Sequence, residues 1–258
     1  MSKVLAIAVV TVREALRQKL AVNLLVFAVA LLVASYTLST LTFGEQYRII
    51  ANLGLSSMEV FGTLIATFLG AGLVARDVER RSLYPIITKP VSRGQYVLGR
   101  YLGLVATTTL NLGVMALAFA VVLAVYTGGV GFLAGTPFLL VVLAMAVQFA
   151  MVGALSTLFS SFTTATLAAI FTLAMVVAGH LSVDMIRYWA KEGEGSAVMG
   201  KAIYAVLPNL QALDLKEAMV YKDAVQASFA WTGLGYGLLY ATGVVALTAA
   251  LFARRDLR

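Results

Sequence analysis

The chain contains no cysteine, which excludes disulfides and thiolate metal sites. It is also poor in charge. Only 12% of its 258 residues are Asp, Glu, Lys or Arg, against about 25% in ordinary soluble domains. It has a single histidine, His180, so a histidine-rich metal centre is excluded as well, since a metal needs three or four ligands. No G-x-x-x-x-G-K-[ST] phosphate loop occurs. If ATP drives this protein, another chain binds it. What remains is apolar: 61% of the residues are hydrophobic. A soluble fold of this length cannot bury that much apolar surface, and lipid is the solvent that makes the composition reasonable.

Crossing a bilayer core of about 30 Å takes roughly 20 apolar residues as a helix. Six segments meet this standard: 21–41, 59–75, 103–126, 137–159, 164–183 and 229–253. Ahead of them, Val4 to Val12 is a short apolar run followed by Arg13, Glu14, Arg17 and Lys19. No small-residue cleavage site follows it, so it does not read as a signal peptide. It reads as an amphipathic helix lying at the membrane surface.

Charge placement orients the spans. Of the 19 Lys and Arg residues, thirteen fall in residues 1–20, the 76–102 loop and the tail. These segments net +9, while the opposite side nets −2. By the positive-inside rule both termini and the 76–102 loop face the cytoplasm. The expected fold is an all-α integral membrane protein: one domain over residues 1–258, six spans and an N-terminal interfacial helix. Short external helices over 197–207 and 215–220 flank Leu207-Pro208-Asn209, where proline breaks the helix. The net charge of +7 then reflects topology, and nucleic acid is not expected as a partner.

Polar residues inside the spans are few. Thr107, Thr108 and Asn111 on the third and Gln148 on the fourth are candidates for lining a path or bonding between helices. His180 has Asp184 one turn on, which reads as an interfacial hydrogen bond. No buried acidic residue is expected in the middle of any span; Glu59 stands at the first position of the second. That absence weakens ion-coupled transport, which usually uses such residues. Glycines 62, 70 and 72 on the second span and 233, 235, 237 and 243 on the sixth permit close helix packing.

The 76–102 loop is the informative stretch. A charged turn holding Asp77, Glu79, Arg80 and Arg81 leaves the second span. Leu83, Tyr84, Ile86 and Ile87 follow as an apolar knob, then Lys89-Pro90-Val91-Ser92-Arg93. Pro90 restricts the chain and Ser92 can cap a new helix. Apolar side chains between charged flanks suit a protein partner.

These residues carry a resemblance to the type-two ABC transporter permease family, the membrane subunits of many bacterial exporters. Asp77-x-Glu79-Arg80, the Pro90-Val91-Ser92-Arg93 turn and Leu98-Gly99-Arg100-Tyr101 resemble the family pattern. Arg81-Ser82-Leu83 stands where Gly-Thr-Leu is usual. Leu207-Pro208-Asn209 with Leu213-Asp214, and the basic start containing Arg13, Glu14, Arg17 and Lys19, are further points of likeness. The resemblance implies a bacterial inner-membrane subunit without enzymatic activity, paired with a second permease copy or a related one. A separate ATP-binding cassette subunit would carry ATP and Mg. Asp77, Glu79, Arg80, Arg81, Leu83, Tyr84, Ile86, Lys89, Pro90 and Arg93 would form the coupling helix that docks it. A hydrophobic or amphipathic substrate fits the aliphatic spans. A membrane anchor or assembly factor, and a membrane-embedded enzyme, are the competing readings.

Overall fold

The computed structural model describes residues 3–39, 44–79, 92–135, 137–189, 207–221 and 227–254. Among these residues every regular element is helical: α1 (Lys3–Leu16), α2 (Lys19–Ser39), α3 (Gln46–Glu79), α4 (Arg93–Thr127), α5 (Phe132–Gly135), α6 (Phe138–Ser160) and α7 (Ala165–Trp189). A 3₁₀ turn (Gln211–Leu213), α8 (Lys216–Val220) and α9 (Ala227–Arg254) complete the order. Six helices, α2, α3, α4, α6, α7 and α9, are long and apolar enough to cross a membrane. Of the short helices expected before the last span, Lys216–Val220 is present and 197–206 lies outside the described residues.

Local chemistry sets the helix ends. The Ser92 hydroxyl accepts from the Gln95 amide and the Gln95 side chain accepts from the Ser92 amide, a reciprocal capping box that starts α4. Gly128 ends it with φ 73°, a left-handed conformation that costs glycine nothing. At 34 and 35 residues, α3 and α4 are each about 50 Å long, well beyond a bilayer core.

One boundary differs from the sequence reading. The second span does not begin at Glu59: α3 begins at Gln46, and Glu59 sits buried well inside it. Gln46, Arg48, Asn52, Ser56 and Ser57 dilute the hydropathy of that stretch. Its other face, Ile50, Ala51, Leu55 and Met58, is fully buried. Packing of one helix face therefore holds these residues in the bundle, where average hydropathy left them out.

α6 is the central helix. Its residues from Val147 to Thr157 are all buried, whichever way they point, and α3, α4, α7 and α9 surround it. α2 packs on α3 and α4, and α1 packs chiefly along α4. α3 and α6 run parallel in a constant register. Gln148 donates to Glu59 at 2.9 Å, Ser156 to the Thr67 carbonyl at 2.7 Å, and Ser160 to the Ala71 carbonyl at 2.8 Å, each pair 89 residues apart. The spacings match on both helices, so like faces stay in contact over several turns. A Cβ at Gly62 would run into the Phe149 ring, so this seam needs a glycine there. Of the sixth-span glycines, 233 and 237 face neighbouring groups, while a Cβ at 235 or 243 would meet nothing within 4 Å among the described residues.

The start of α4, the end of α9 and α1 share one end of the bundle. Tyr96 stacks on Phe252 with ring centroids 6.0 Å apart, and Arg93 donates to the Ala253 carbonyl at 3.2 Å. The opposite end gathers the start of α3, Tyr126 and residues 220–221 around a cleft of about 280 Å³.

Gly62→Ala is expected to destabilise the bundle by about 1–3 kcal/mol through overpacking, read as a lower Tm in detergent. Gly235→Ala, on the open face, should leave the Tm unchanged or slightly raised.

Candidate functional site

A carboxylate in the middle of a span must be neutralised by partners that the fold brings to it. Glu59 has three, each from a different element. Gln148 of α6 donates to Oε1 at 2.9 Å. His180 Nε2 of α7 faces the same oxygen at 3.1 Å, while Nδ1 faces the Val176 carbonyl at 3.0 Å. The Lys216 ammonium, at the start of α8, donates to Oε2 and lies 3.4 Å from Asp214 Oδ2. The Glu59 side chain is only 9% exposed and that of Lys216 20%. His180 therefore pairs with Glu59, 121 residues away in sequence, and the expectation that spans carry no buried acid is overturned.

Lys216 comes from outside the spans, and the 207–221 segment delivers it. Asn209 Oδ1 accepts from the Ala212 amide at 3.2 Å, closing the 3₁₀ turn. Asp214 Oδ1 accepts from the Lys216 amide at 3.2 Å and opens α8. The Leu-Pro-Asn and Leu-Asp pairs singled out in the sequence thus shape the turn that aims Lys216. The segment is bolted to the bundle at five further points. Gln211 donates to the His180 carbonyl at 2.6 Å, and the Asn209 amide donates to the Tyr236 hydroxyl at 2.9 Å. Tyr47 donates to the Met219 carbonyl at 3.3 Å. Gly179 of α7 and Gly233 of α9 let Pro208 and Ala212 come within side-chain distance of the helix backbones. Leu210, Leu213 and Met219 are buried.

Burial works against the Lys216 charge, but the attraction of the Glu59 carboxylate, its hydrogen bond and then Asp214 outweigh it and raise the lysine's pKa. A raised folded-state value means that this contribution to stability is fully present at neutral pH. It is lost only as the pH climbs through that value in strongly alkaline solution.

Two hydroxyls on the Glu59 face of α3, one and two turns further along, are buried without a hydrogen-bond partner among the described residues: Thr63 and Thr67. Each carries a desolvation cost of about 1–3 kcal/mol.

A second polar contact holds α1. Arg100 of α4, its side chain 9% exposed, donates to Glu14 Oε2 at 2.6 Å and to the Thr11 hydroxyl at 3.4 Å. Its guanidinium also lies over the Tyr96 ring. Gly99 and Gly103 face Ile7 and Thr11, so α1 lies close along α4. Arg13 of α1, Arg17 just after it and Lys19 at the start of α2 are exposed.

The other residues singled out in the sequence are placed as follows. Arg93 caps the last carbonyls of α9. Asp77 and Glu79 lie in the last turn of α3 with side chains outside the described residues, and Arg80, Arg81, Leu83, Tyr84, Ile86, Lys89 and Pro90 lie wholly outside them. Thr107 and Thr108 are buried, and their hydroxyls bond back to carbonyls of α4 itself, at Gly103 and at Leu104 and Val105. Asn111 is buried. Only Gln148 among these four joins the Glu59 cluster.

Thr67→Val, which removes an orphan hydroxyl at nearly constant shape, is expected to leave the Tm in detergent unchanged or raised. Ser156→Ala, which removes an interhelical bond, should lower stability by about 1 kcal/mol. Arg100→Leu is expected to release α1, and limited trypsinolysis after Arg13 and Arg17 should then run several-fold faster than in the parent.

None of the curated proteins matches the chain. The sequence profile of a family described as ABC-2 family transporter protein matches residues 4–257. That match spans nearly the whole chain and agrees with six membrane-length helices. The chain belongs to the ABC-2 transporter family, as a multi-pass membrane protein of that family.

Proposed function

We propose that this chain is the permease subunit of an ATP-driven exporter. In this reading it docks a separate ATP-binding cassette subunit through the 76–102 segment and moves a hydrophobic or amphipathic substrate. Family membership supports a transport role. The sequence contains no phosphate loop, which favours a partner chain as the holder of ATP and Mg. Charge asymmetry favours the basic segments, with both termini, on the cytoplasmic side of a bacterial inner membrane. A second copy, or a related permease, completes the membrane unit.

The observation that carries the reading is the continuity of α3. It is one helix of 34 residues from Gln46 through Glu59 to Glu79, and in the sequence Leu83, Tyr84 and Ile86 follow four to seven residues later. Its 21-residue stretch from Glu59 to Glu79 spans about 30 Å. A push on the segment after Glu79 is therefore felt deep in the bundle as a movement of the whole rod. ATP supplies the difference in binding between two states that such a movement requires.

The test is co-purification. The tagged chain expressed with its neighbouring genes should retain a P-loop ATPase. Leu83→Asp, Tyr84→Asp and Ile86→Asp together should abolish that association while leaving the yield and Tm of the permease unchanged. Retention of the ATPase by the triple variant, or purification of the parent chain alone, contradicts the docking reading.

A further inference from the structure

The cleft at the end of the bundle away from α1 has a volume of about 280 Å³, and Glu45, Tyr47, Arg48, Tyr126 and Tyr221 are among its lining residues. It is separate from the Glu59 cluster, since Arg48 and Glu59 stand about 16 Å apart along α3. Two helix ends fix its depth. Tyr47 and Arg48 lie in the first turn of α3 and Tyr126 in the last turn of α4, and both helices are of membrane-crossing length. The cleft therefore opens at the level where a span meets lipid headgroups, a level that favours tyrosine. We propose that it binds a phosphate joined to an ammonium group, the headgroup chemistry of a zwitterionic phospholipid. Arg48 takes the phosphate, and Glu45 with the tyrosine rings takes the ammonium. This site is independent of the docking reading.

The cleft holds one charge of each sign. Arg48 Nη1 donates to both carboxylate oxygens of Glu45, at 2.6 and 2.7 Å. The two side chains are 47% and 63% exposed. An exposed pair of this kind adds little stability, so a ligand parts it readily. A ligand carrying both charges replaces that one ion pair with two. A lone anion would displace Glu45 from Arg48 without offering the carboxylate a new partner, and a lone cation would do the converse. The planar guanidinium fork suits a phosphate. The ring of Tyr221 already holds a cation, because the Arg48 guanidinium lies over it at 5.1 Å from the centroid. An ammonium takes that place as the guanidinium turns to the phosphate. Tyr47 is positioned beforehand by its hydrogen bond to the Met219 carbonyl. A lipid fits better than a soluble zwitterion. Leu117, Val121 and Val125 follow one another at four-residue steps on one face of α4, each more than half exposed. This stripe ends beside Tyr126 and offers acyl chains an apolar surface below the headgroup.

The test titrates the detergent-purified chain with one lipid at a time and reads the Kd of the first bound lipid by native mass spectrometry. Phosphatidylethanolamine carries both charges, phosphatidylglycerol the phosphate alone, and a trimethylammonium diacyl lipid the ammonium alone. The parent should bind phosphatidylethanolamine about tenfold tighter than either of the others. Arg48→Gln should weaken phosphatidylethanolamine about tenfold. Glu45→Gln should weaken it similarly while leaving phosphatidylglycerol unchanged or tighter, a reversal that loss of fold cannot produce. Both residues are exposed, so the Tm of each variant without lipid should match the parent. Arg17→Gln, at the other end of the bundle, should change no lipid affinity. Equal affinity of the parent for all three lipids overturns the proposal. Phosphatidylethanolamine binding unchanged in both cleft variants also overturns it, as does a Glu45→Gln variant that loses phosphatidylethanolamine and phosphatidylglycerol alike. Soluble glycerophosphoethanolamine at equal concentration should not compete; full competition overturns the lipid source and assigns the same cleft to a soluble zwitterion. No ATPase enters the experiment, so its failure leaves the docking reading untouched.

Discussion

A carboxylate buried in a membrane-length helix needs compensation from its surroundings. Glu59 obtains it from α6, α7 and the segment before α9 at once. That requirement ties together elements far apart in the chain. It fixes which face of α3 meets α6, it sets the height of His180 against α3, and it draws a polar connecting segment into a bundle of apolar helices. Removing one partner of a buried pair is costly, at about 3–5 kcal/mol. The cluster therefore specifies an arrangement more than it stabilises one, and the surrounding packing is built to match.

The match is seen along the α3–α6 seam. The pairing of Glu59 with Gln148 continues as Thr67 with Ser156 and Ala71 with Ser160, without slippage. The Ala75 amide donates to the Ser160 hydroxyl at 3.0 Å and extends the same seam by another turn. Between helices in lipid there is little hydrophobic drive, so small residues and short polar side chains do the joining. α3 emerges as a rod fixed laterally by serines and a glycine. Its far end leads into the segment that the proposed function assigns to an ATPase. At the same end α1 is held by Arg100 and Glu14, with Arg13, Arg17 and Lys19 exposed.

Much of this was legible from the residues alone, and the failures have physical causes. The long apolar runs located all six spans, because a membrane helix needs only length and hydropathy. Ser92 announced its cap through the glutamine three residues on. Glu59 was missed as a buried residue because a hydropathy window averages both faces of a helix. The fully buried face of Ile50, Ala51, Leu55 and Met58 was masked by polar neighbours. A periodicity test over 46–58 would have found it. Asp184 is near His180 in sequence, but its side chain lies outside the described residues; the contact of His180 with Glu59 is tertiary, 121 residues away, and spacing along one helix cannot announce it. Thr107 and Thr108 illustrate the reverse: their hydroxyls satisfy carbonyls of their own helix, as threonine in a helix readily does. Lys216 carried a faint signal, since Asp214 two residues earlier marked a turn, but nothing in the sequence placed that turn beside α3.

The central claim is that Glu59 and Lys216 are energetically coupled across α3 and the 207–221 segment. A double-mutant cycle measures this directly, using the stability in detergent of the parent, Glu59→Gln, Lys216→Met and the combined variant. The account predicts a coupling energy of about 1–3 kcal/mol, with the second substitution costing much less once the first is made. Effects that add to within about 0.5 kcal/mol would contradict it.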